Sequence, residues 1–277
     1  MATAGFEDGS ARLWSVDSWQ EVHRLMHTGL VESLRRMFQP QGGVRFLTFT
    51  TDGKLVTSGQ DGTVRLWNVE TEQELLRLPV NGYGASVAFT PDGRYCVTDS
   101  EKEITIWSWP SGTKVNTLDK GSDQFLSLLG LSPDGRLILL GSMDQKAVQV
   151  RTIPDLKQIA SLLHENTVFS ARFSRNGSLL LTASQDTTAR LWDTSRWQEV
   201  ARLKTNGIVY DAQFNPDESL LVTASGEGLA RIWITPTTDL VATACSRLTR
   251  NLTEEEWRQY LGSEPYAATC QLATGTH

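Results

Sequence analysis

Cysteine is scarce. The 277 residues hold three, Cys96, Cys245 and Cys270, too few and too scattered for a disulfide framework. The opening MATAGFEDG has neither the basic flank nor the apolar core of a signal peptide, so the chain reads as cytoplasmic, and Asn176-Gly177-Ser178 and Asn251-Leu252-Thr253 read as exposed turns rather than glycosylation sites. No apolar run approaches the roughly 20 residues that span a bilayer, which argues against a membrane partner. Basic charge is also short: the net charge is −6 and no run of Lys or Arg stands out, which argues against nucleic acid held by phosphate neutralisation. A glycine-rich turn ending in Gly-Lys-Ser/Thr is missing, and with it a phosphate-binding loop. Of the four histidines, His23 and His27 stand four apart, but Arg24-Leu25-Met26 between them supplies no Glu base for a zinc peptidase. Gly84-Ala85-Ser86-Val87-Ala88 touches the nucleophile-elbow pattern but falls on a strand with no helix after it. No metal or small-molecule cofactor is expected.

What the chain has is recurrence. Residues 181–193, LTASQDTTARLWD, read as a strand, a tight turn and a second strand. An acid six positions before the end of that second strand returns along the chain: Asp8 with Trp14, Asp61 with Trp67, Glu101 with Trp107, Asp144 with Val150, Asp186 with Trp192, Glu227 with Trp233. From Trp67 these ends fall 40, 43, 42 and 41 residues apart, while Trp14 to Trp67 is longer. Upstream of each later copy lies a turn pair, Asp52-Gly53, Asp92-Gly93, Asp134-Gly135, Asn176-Gly177 or Pro216-Asp217, and Asp, Asn and Gly supply the positive φ that hairpin turns require. A β-rich repeat of this period signals a propeller, whose units bury their faces only against neighbours. The expected fold is all-β: five full blades and one partial one.

The spacing, the turn chemistry and the terminal Trp together resemble the WD-repeat β-propeller family, although the literal Trp-Asp pair occurs only at Trp192-Asp193. The resemblance implies that His164, Thr182 or Ser184, Asp186 and Trp192 form a hydrogen-bonded structural tetrad within one blade. The acid recurs in units that lack the histidine, which a scaffold role explains and a Ser-His-Asp hydrolase does not. Loss of Asp186 is expected to leave buried turn groups unsatisfied at a cost of about 1–3 kcal/mol. The Arg column two before the Trp, Arg12, Arg65, Arg190 and Arg231, is expected on the strand surface, paired with carboxylates of adjacent strands.

Residues 1–238 form the expected propeller. Residues 1–26 hold the second to fourth strands of a unit without its first, and about 12 extra residues are inserted within 30–43, a candidate contact loop through Arg35, Arg36 and Phe38. The last unit has three strands before Pro236, so an open or truncated ring is expected, with further chain upstream. Residues 239–277 are expected to be a helical extension. One helix is read over 239–248, and a second starts at Thr253, with Glu256 closing a capping box and Trp257, Tyr260 and Leu261 on its apolar face. The string LTRNLTEEEWRQYLGSEPYAATC looks like the carboxy-terminal segment of bacterial WD-repeat proteins, many of them signalling NTPases of the STAND type or caspase-like peptidases.

In that family, residues around the start of each first strand and the one before the turn acid surround the channel mouth. Here they are Arg45, Tyr83, Phe125, Phe169 and Tyr210, with Gln60 and Gln185. Aromatics and Arg are the types that anchor interfaces. The resemblance therefore implies a non-catalytic scaffold or sensor module of a larger bacterial signalling protein, binding a protein partner or an effector domain of its own parent chain. The alternatives are a propeller enzyme with its site at the channel mouth and a nucleic-acid sensor.

Overall fold

Short strands separated by Asx-Gly turns fold, in this computed structural model, into consecutive antiparallel sheets. The structure describes residues 1–5, 8–27, 43–50, 52–82, 85–121, 125–234 and 253–261. Blade one is β1 (Ala2–Ala4), β2 (Ser10–Trp14) and β3 (Glu21–Met26). Blade two is β4 (Val44–Phe49), β5 (Leu55–Gly59), β6 (Thr63–Trp67) and β7 (Glu74–Pro79). Blade three is β8 (Ser86–Phe89), β9 (Tyr95–Asp99), β10 (Glu103–Ser108) and β11 (Thr113–Asp119). Blade four is β12 (Ser127–Leu131), β13 (Leu137–Ser142), β14 (Ala147–Thr152) and β15 (Gln158–Leu163). Blade five is β16 (Val168–Phe173), β17 (Leu179–Ser184), β18 (Thr188–Asp193) and β19 (Gln198–Lys204); blade six is β20 (Val209–Phe214), β21 (Leu220–Ser225) and β22 (Leu229–Ile234). Each blade pairs its strands in chain order, and among the described residues no strand of blade six pairs with one of blade one.

The first hairpin of blades two to six closes as its sequence requires. Gly53, Gly93, Gly135 and Gly177 have φ of +80, +68, +72 and +73°, a region that L side chains seldom enter. Glu218 takes the same place in blade six at +61°. The Asx side chain holds the turn: Asp92 Oδ1 accepts the Thr90 hydroxyl at 2.6 Å and the Arg94 N–H at 3.0 Å. Asp134 and Asn176 repeat this with Ser132 and Ser174.

The core lies between blades. The second and third strands of blade five are buried on both faces, with Leu180 and Trp192 packed toward blade four and Leu181 and Leu191 toward blade six. That explains why apolar alternation is only partial in the sequence. In blade four the spacing puts Val150 where the other units have Trp, and the structure corrects this. Arg151 stands opposite Ile138, as Trp192 stands opposite Leu180, because the turn at 143–146 holds one residue more than that at 185–187. Burial lowers the pKa of Arg151, and its guanidinium donates to Gln149, Gln158 and the Leu156 carbonyl.

Beyond blade six, helix α1 (Glu254–Leu261) begins with a capping box. The Glu256 N–H donates to Thr253 Oγ1 at 3.2 Å, and the Thr253 N–H to Glu256 Oε2 at 2.8 Å. The helix expected over 239–248 lies outside the described residues, as do the side chains of Trp257, Tyr260 and Leu261, and Cys245 and Cys270. Among the described residues no helix is long and apolar enough to cross a membrane.

Candidate protein-interaction face and buried tetrads

His164 follows β15, and the chain there is fixed by its N–H on the Lys146 carbonyl at 2.8 Å. Its ring turns inward between blades. Nδ1 lies 3.0 Å from Asp186 Oδ2 and Nε2 lies 2.8 Å from Thr182 Oγ1, which also accepts the Trp192 indole N–H at 3.0 Å. A carboxylate can only accept, so Nδ1 carries the proton and Nε2 takes the Thr182 hydroxyl hydrogen. Thr182 is thus the hydroxyl of the set. Ser184 bonds the Thr167 carbonyl at 2.9 Å and receives the Asp186 N–H at 3.1 Å, setting the turn.

Burial, and then the Arg190 cation, push the His164 pKa down to about 4. Burial of Asp186 acts the other way on its carboxyl, but the Thr188 hydroxyl, the Glu165 N–H and His164 together hold it well below the usual carboxylate range. The triad of residue types is therefore spent on structure: the imidazole is enclosed and both ring nitrogens are engaged. As pH falls, the unfolded chain takes up the His164 proton near 6.5 while the folded chain resists until about 4. The stability from neutral His164 is full above 6.5 and is lost as pH falls toward 4. Linkage puts the loss between pH 7 and pH 5 at about 2 kcal/mol. Urea unfolding at the two values should show H164Q losing less than wild type by that amount; equal losses would remove His164 as the source.

Blade two holds a second tetrad that the sequence reading did not assemble. His27 Nδ1 is 3.1 Å from Asp61 Oδ1, His27 Nε2 is 2.7 Å from Thr57 Oγ1, and the Trp67 indole donates to Thr57 at 2.7 Å. The signal was present once the insert at 30–43 is removed from the spacing. Among the described residues, blades one, three and six keep only the Trp–Thr bond, at Trp14–Thr3, Trp107–Thr98 and Trp233–Thr223.

The Arg column pairs with adjacent-strand carboxylates as expected, at Glu74 and Glu199, but two of its four members differ in burial. Arg65 and Arg190 are buried rather than on the surface. Each guanidinium reaches the turn acid of its own blade, Asp61 or Asp186, and a fourth-strand glutamate, Glu74 or Glu199. Two carboxylates around one planar fork make that burial tolerable.

At the same end of the blades, the first strands of blades two, five and six each carry a β-bulge. The register skips one residue between Val44 and Phe46, Val168 and Ser170, and Val209 and Asp211. The skipped residues are Arg45, Phe169 and Tyr210, and all three are exposed. A bulge re-aims the extra side chain away from the ladder. The Phe169 and Tyr210 rings lie 5.9 Å apart between centroids, and Phe125 is exposed just ahead of β12. Gln60 and Gln185 are half-buried beside the bulges, with their N–H groups on the Gly43 and Thr167 carbonyls at 2.9 and 2.8 Å. Met143 fills the same position in blade four and is exposed. The sequence rule that selected the glutamines, the residue before the turn acid, also selects Met143, which was overlooked. Tyr83 and the loop residues Arg35, Arg36 and Phe38 lie outside the described residues. Among the described residues no group of three or more His, Cys, Asp or Glu could hold a metal ion.

Comparison with known proteins agrees with this geometry. The WD domain, G-beta repeat matches residues 31–68, 156–193 and 197–233. The chain is 24% identical over 226 residues to the serine-threonine kinase receptor-associated protein of Gallus gallus, covering 70% of this chain and 63% of that protein. It is 28% identical over 183 residues to protein HIR1 of Cryptococcus neoformans, covering 60% of this chain and 20% of that protein. It is 25% identical over 148 residues to the B-type cell cycle switch protein ccs52B of Medicago truncatula, covering 51% and 30%. The chain thus spans less than two thirds of the length of these relatives. It carries WD40 repeats, and its six antiparallel sheets are blades of the WD-repeat β-propeller kind.

Proposed function

We propose that the chain is a non-catalytic protein-interaction module and that its partner seats on the end of the blades where the first-strand bulges lie. The observation that carries this reading is the repeated bulge. Three blades insert an extra residue at one position, and that residue is Arg, Phe or Tyr, turned to solvent. Large side chains displayed by rigid strands lose little entropy on binding and anchor interfaces. The relatives' names include one for association with receptors, which is in keeping with a binding role. A catalytic role finds no support in the histidines, because His27 and His164 are enclosed and their ring nitrogens are engaged within the blades. The carboxy-terminal string supports a parent that is a larger bacterial signalling protein, with this module as its sensor or scaffold end.

Selection of a displayed peptide library on the chain, followed by affinity measurement, tests the face. Recovered peptides are expected to lose at least about tenfold in affinity for the F169A/Y210A variant, since an interface anchor is worth 1–2 kcal/mol or more. Unchanged affinity would place the binding surface elsewhere.

A further inference from the structure

Three asparagines stand directly before a glycine, Asn81, Asn176 and Asn206, and all three are exposed. In such a pair the glycine nitrogen, with no Cβ beside it to block approach, attacks the carbonyl carbon of the asparagine side chain. The attack needs a free nitrogen and two residues able to turn toward each other. At Asn176 the fold denies both. The Gly177 N–H donates to the Ser174 carbonyl at 2.9 Å, and Asn176 Oδ1 accepts the Ser174 hydroxyl at 2.8 Å and the Ser178 N–H and hydroxyl at 3.0 and 2.8 Å.

Asn81 and Asn206 hold one position of the repeat, just ahead of blades three and six at the bulge end. The residue before each, Val80 or Thr205, donates its N–H to the preceding blade's turn at Gly62 or Thr187, at 2.9 Å. The glycine after each lies against the turn acid of the next blade, Glu101 or Glu227. In blade six Arg231 fixes Glu227 with bonds of 2.9 and 2.8 Å. That carboxylate accepts the Asn206 N–H at 2.8 Å and the Gly207 N–H, while the Thr205 hydroxyl holds the Gly207 carbonyl at 2.6 Å. Blade three lacks these parts. Thr105 stands where Arg231 does, opposite a second-strand threonine, and its hydroxyl goes to Glu103 at 3.2 Å. Val80 has no hydroxyl, and among the described residues neither the Asn81 N–H nor the Gly82 N–H has a hydrogen-bond partner. Gly82 is nevertheless required, because its φ is +122° and a Cβ there would lie 2.8 Å from Glu101 Cβ. The fold thus keeps the glycine that makes Asn81 reactive.

We propose that Asn81 is a self-modification site, which loses its side-chain amide in the folded protein while Asn176 and Asn206 keep theirs. The Gly82 nitrogen bonds to Asn81 Cγ and gives up its proton, the Cγ–Nδ2 bond breaks, and ammonia leaves. Water then opens the cyclic imide at either carbonyl, giving aspartate or, with the main chain routed through Cγ, isoaspartate. Both products add a negative charge beside the junction of blades two and three, and isoaspartate lengthens the main chain ahead of β8.

Peptide mapping by mass spectrometry, after incubation of the folded chain at mildly alkaline pH and digestion in acid, follows the amide-to-acid mass gain at each asparagine. Asn81 is expected to convert at least about tenfold faster than Asn206 or Asn176, the factor set by breaking one hydrogen bond to a charged group. In concentrated urea the three should convert at similar rates, because only the fold distinguishes them. Glu227→Ala should bring Asn206 up to the rate of Asn81 and leave Asn81 unchanged. Should circular dichroism show that E227A has lost its strands, Arg231→Thr, which copies blade three, replaces it. Asn81 that converts no faster than Asn206 in the folded chain overturns the proposal. So does an ordering that persists in urea, which would place the difference in local sequence, or an Asn206 rate that does not respond to loss of its carboxylate.

Discussion

Asp186→Ala is expected to lower the unfolding free energy by about 3–5 kcal/mol, the range for removing one partner of a buried pair. Unsatisfied turn groups alone would cost about 1–3 kcal/mol. The larger figure follows from Arg190, which lies 2.7 Å from Asp186 and is itself buried. Without Asp186 that cation keeps Glu199 at 3.2 Å and the Leu163 carbonyl at 3.2 Å, while His164 Nδ1 and the Thr188 and Glu165 N–H groups lose their acceptor. Urea unfolding measures the loss directly, and peptide affinity at the bulge face should not move, because Asp186 lies beneath it. A loss under 1 kcal/mol would mean that the network relaxes onto water.

The blade plan was legible because three independent local rules coincide in each unit: positive-φ turn residues, an acid at the second turn, and an aromatic strand end. Where one rule fails the reading slips. In blade four the turn gains a residue, so counting six from Asp144 lands on Val150, whereas pairing with Ile138 selects Arg151. Spacing counts residues, but hydrogen-bonded register decides which face they take. Burial of Arg65 and Arg190 was likewise hidden. A strand arginine reads as surface until two carboxylates, one from the turn and one from the fourth strand, are known to converge on it. The rim residues were found by analogy of position, yet the physical reason for their exposure, a bulge, leaves no mark in a single sequence, since any residue can be the extra one. His27 was missed as a tetrad member although the extra residues counted within 30–43 restore its spacing to Asp61, because the hydrogen-bonded set was assigned in one blade only.

Lys120 shows how the scaffold manages where the tetrad is lost. Its N–H bonds the Lys102 carbonyl at 3.0 Å, the backbone position that His164 holds ahead of blade five. Blade four has Leu140 and Arg151 where its neighbours have Thr and Trp, so a histidine there would find no hydroxyl partner. Lysine instead reaches back to blade three, placing Nζ 2.7 Å from Asp99 Oδ1 with both side chains buried. Asp99 Oδ2 accepts the Leu128 N–H of β12 at 2.8 Å, while Oδ1 has no hydrogen-bond partner beyond that ion pair among the described residues. One carboxylate thus joins blades three and four twice. Lys120→Met is expected to cost about 3–5 kcal/mol, because it strands the Asp99 charge in a dry junction. Asp99→Asn in the same chain removes that charge and keeps an acceptor for Leu128, so the D99N/K120M double variant should recover about 2–3 kcal/mol of the loss. Urea unfolding of the two singles and the double closes the cycle. Additive losses would show that Lys120 acts through the packing of its stem, and that the join between blades three and four does not depend on charge.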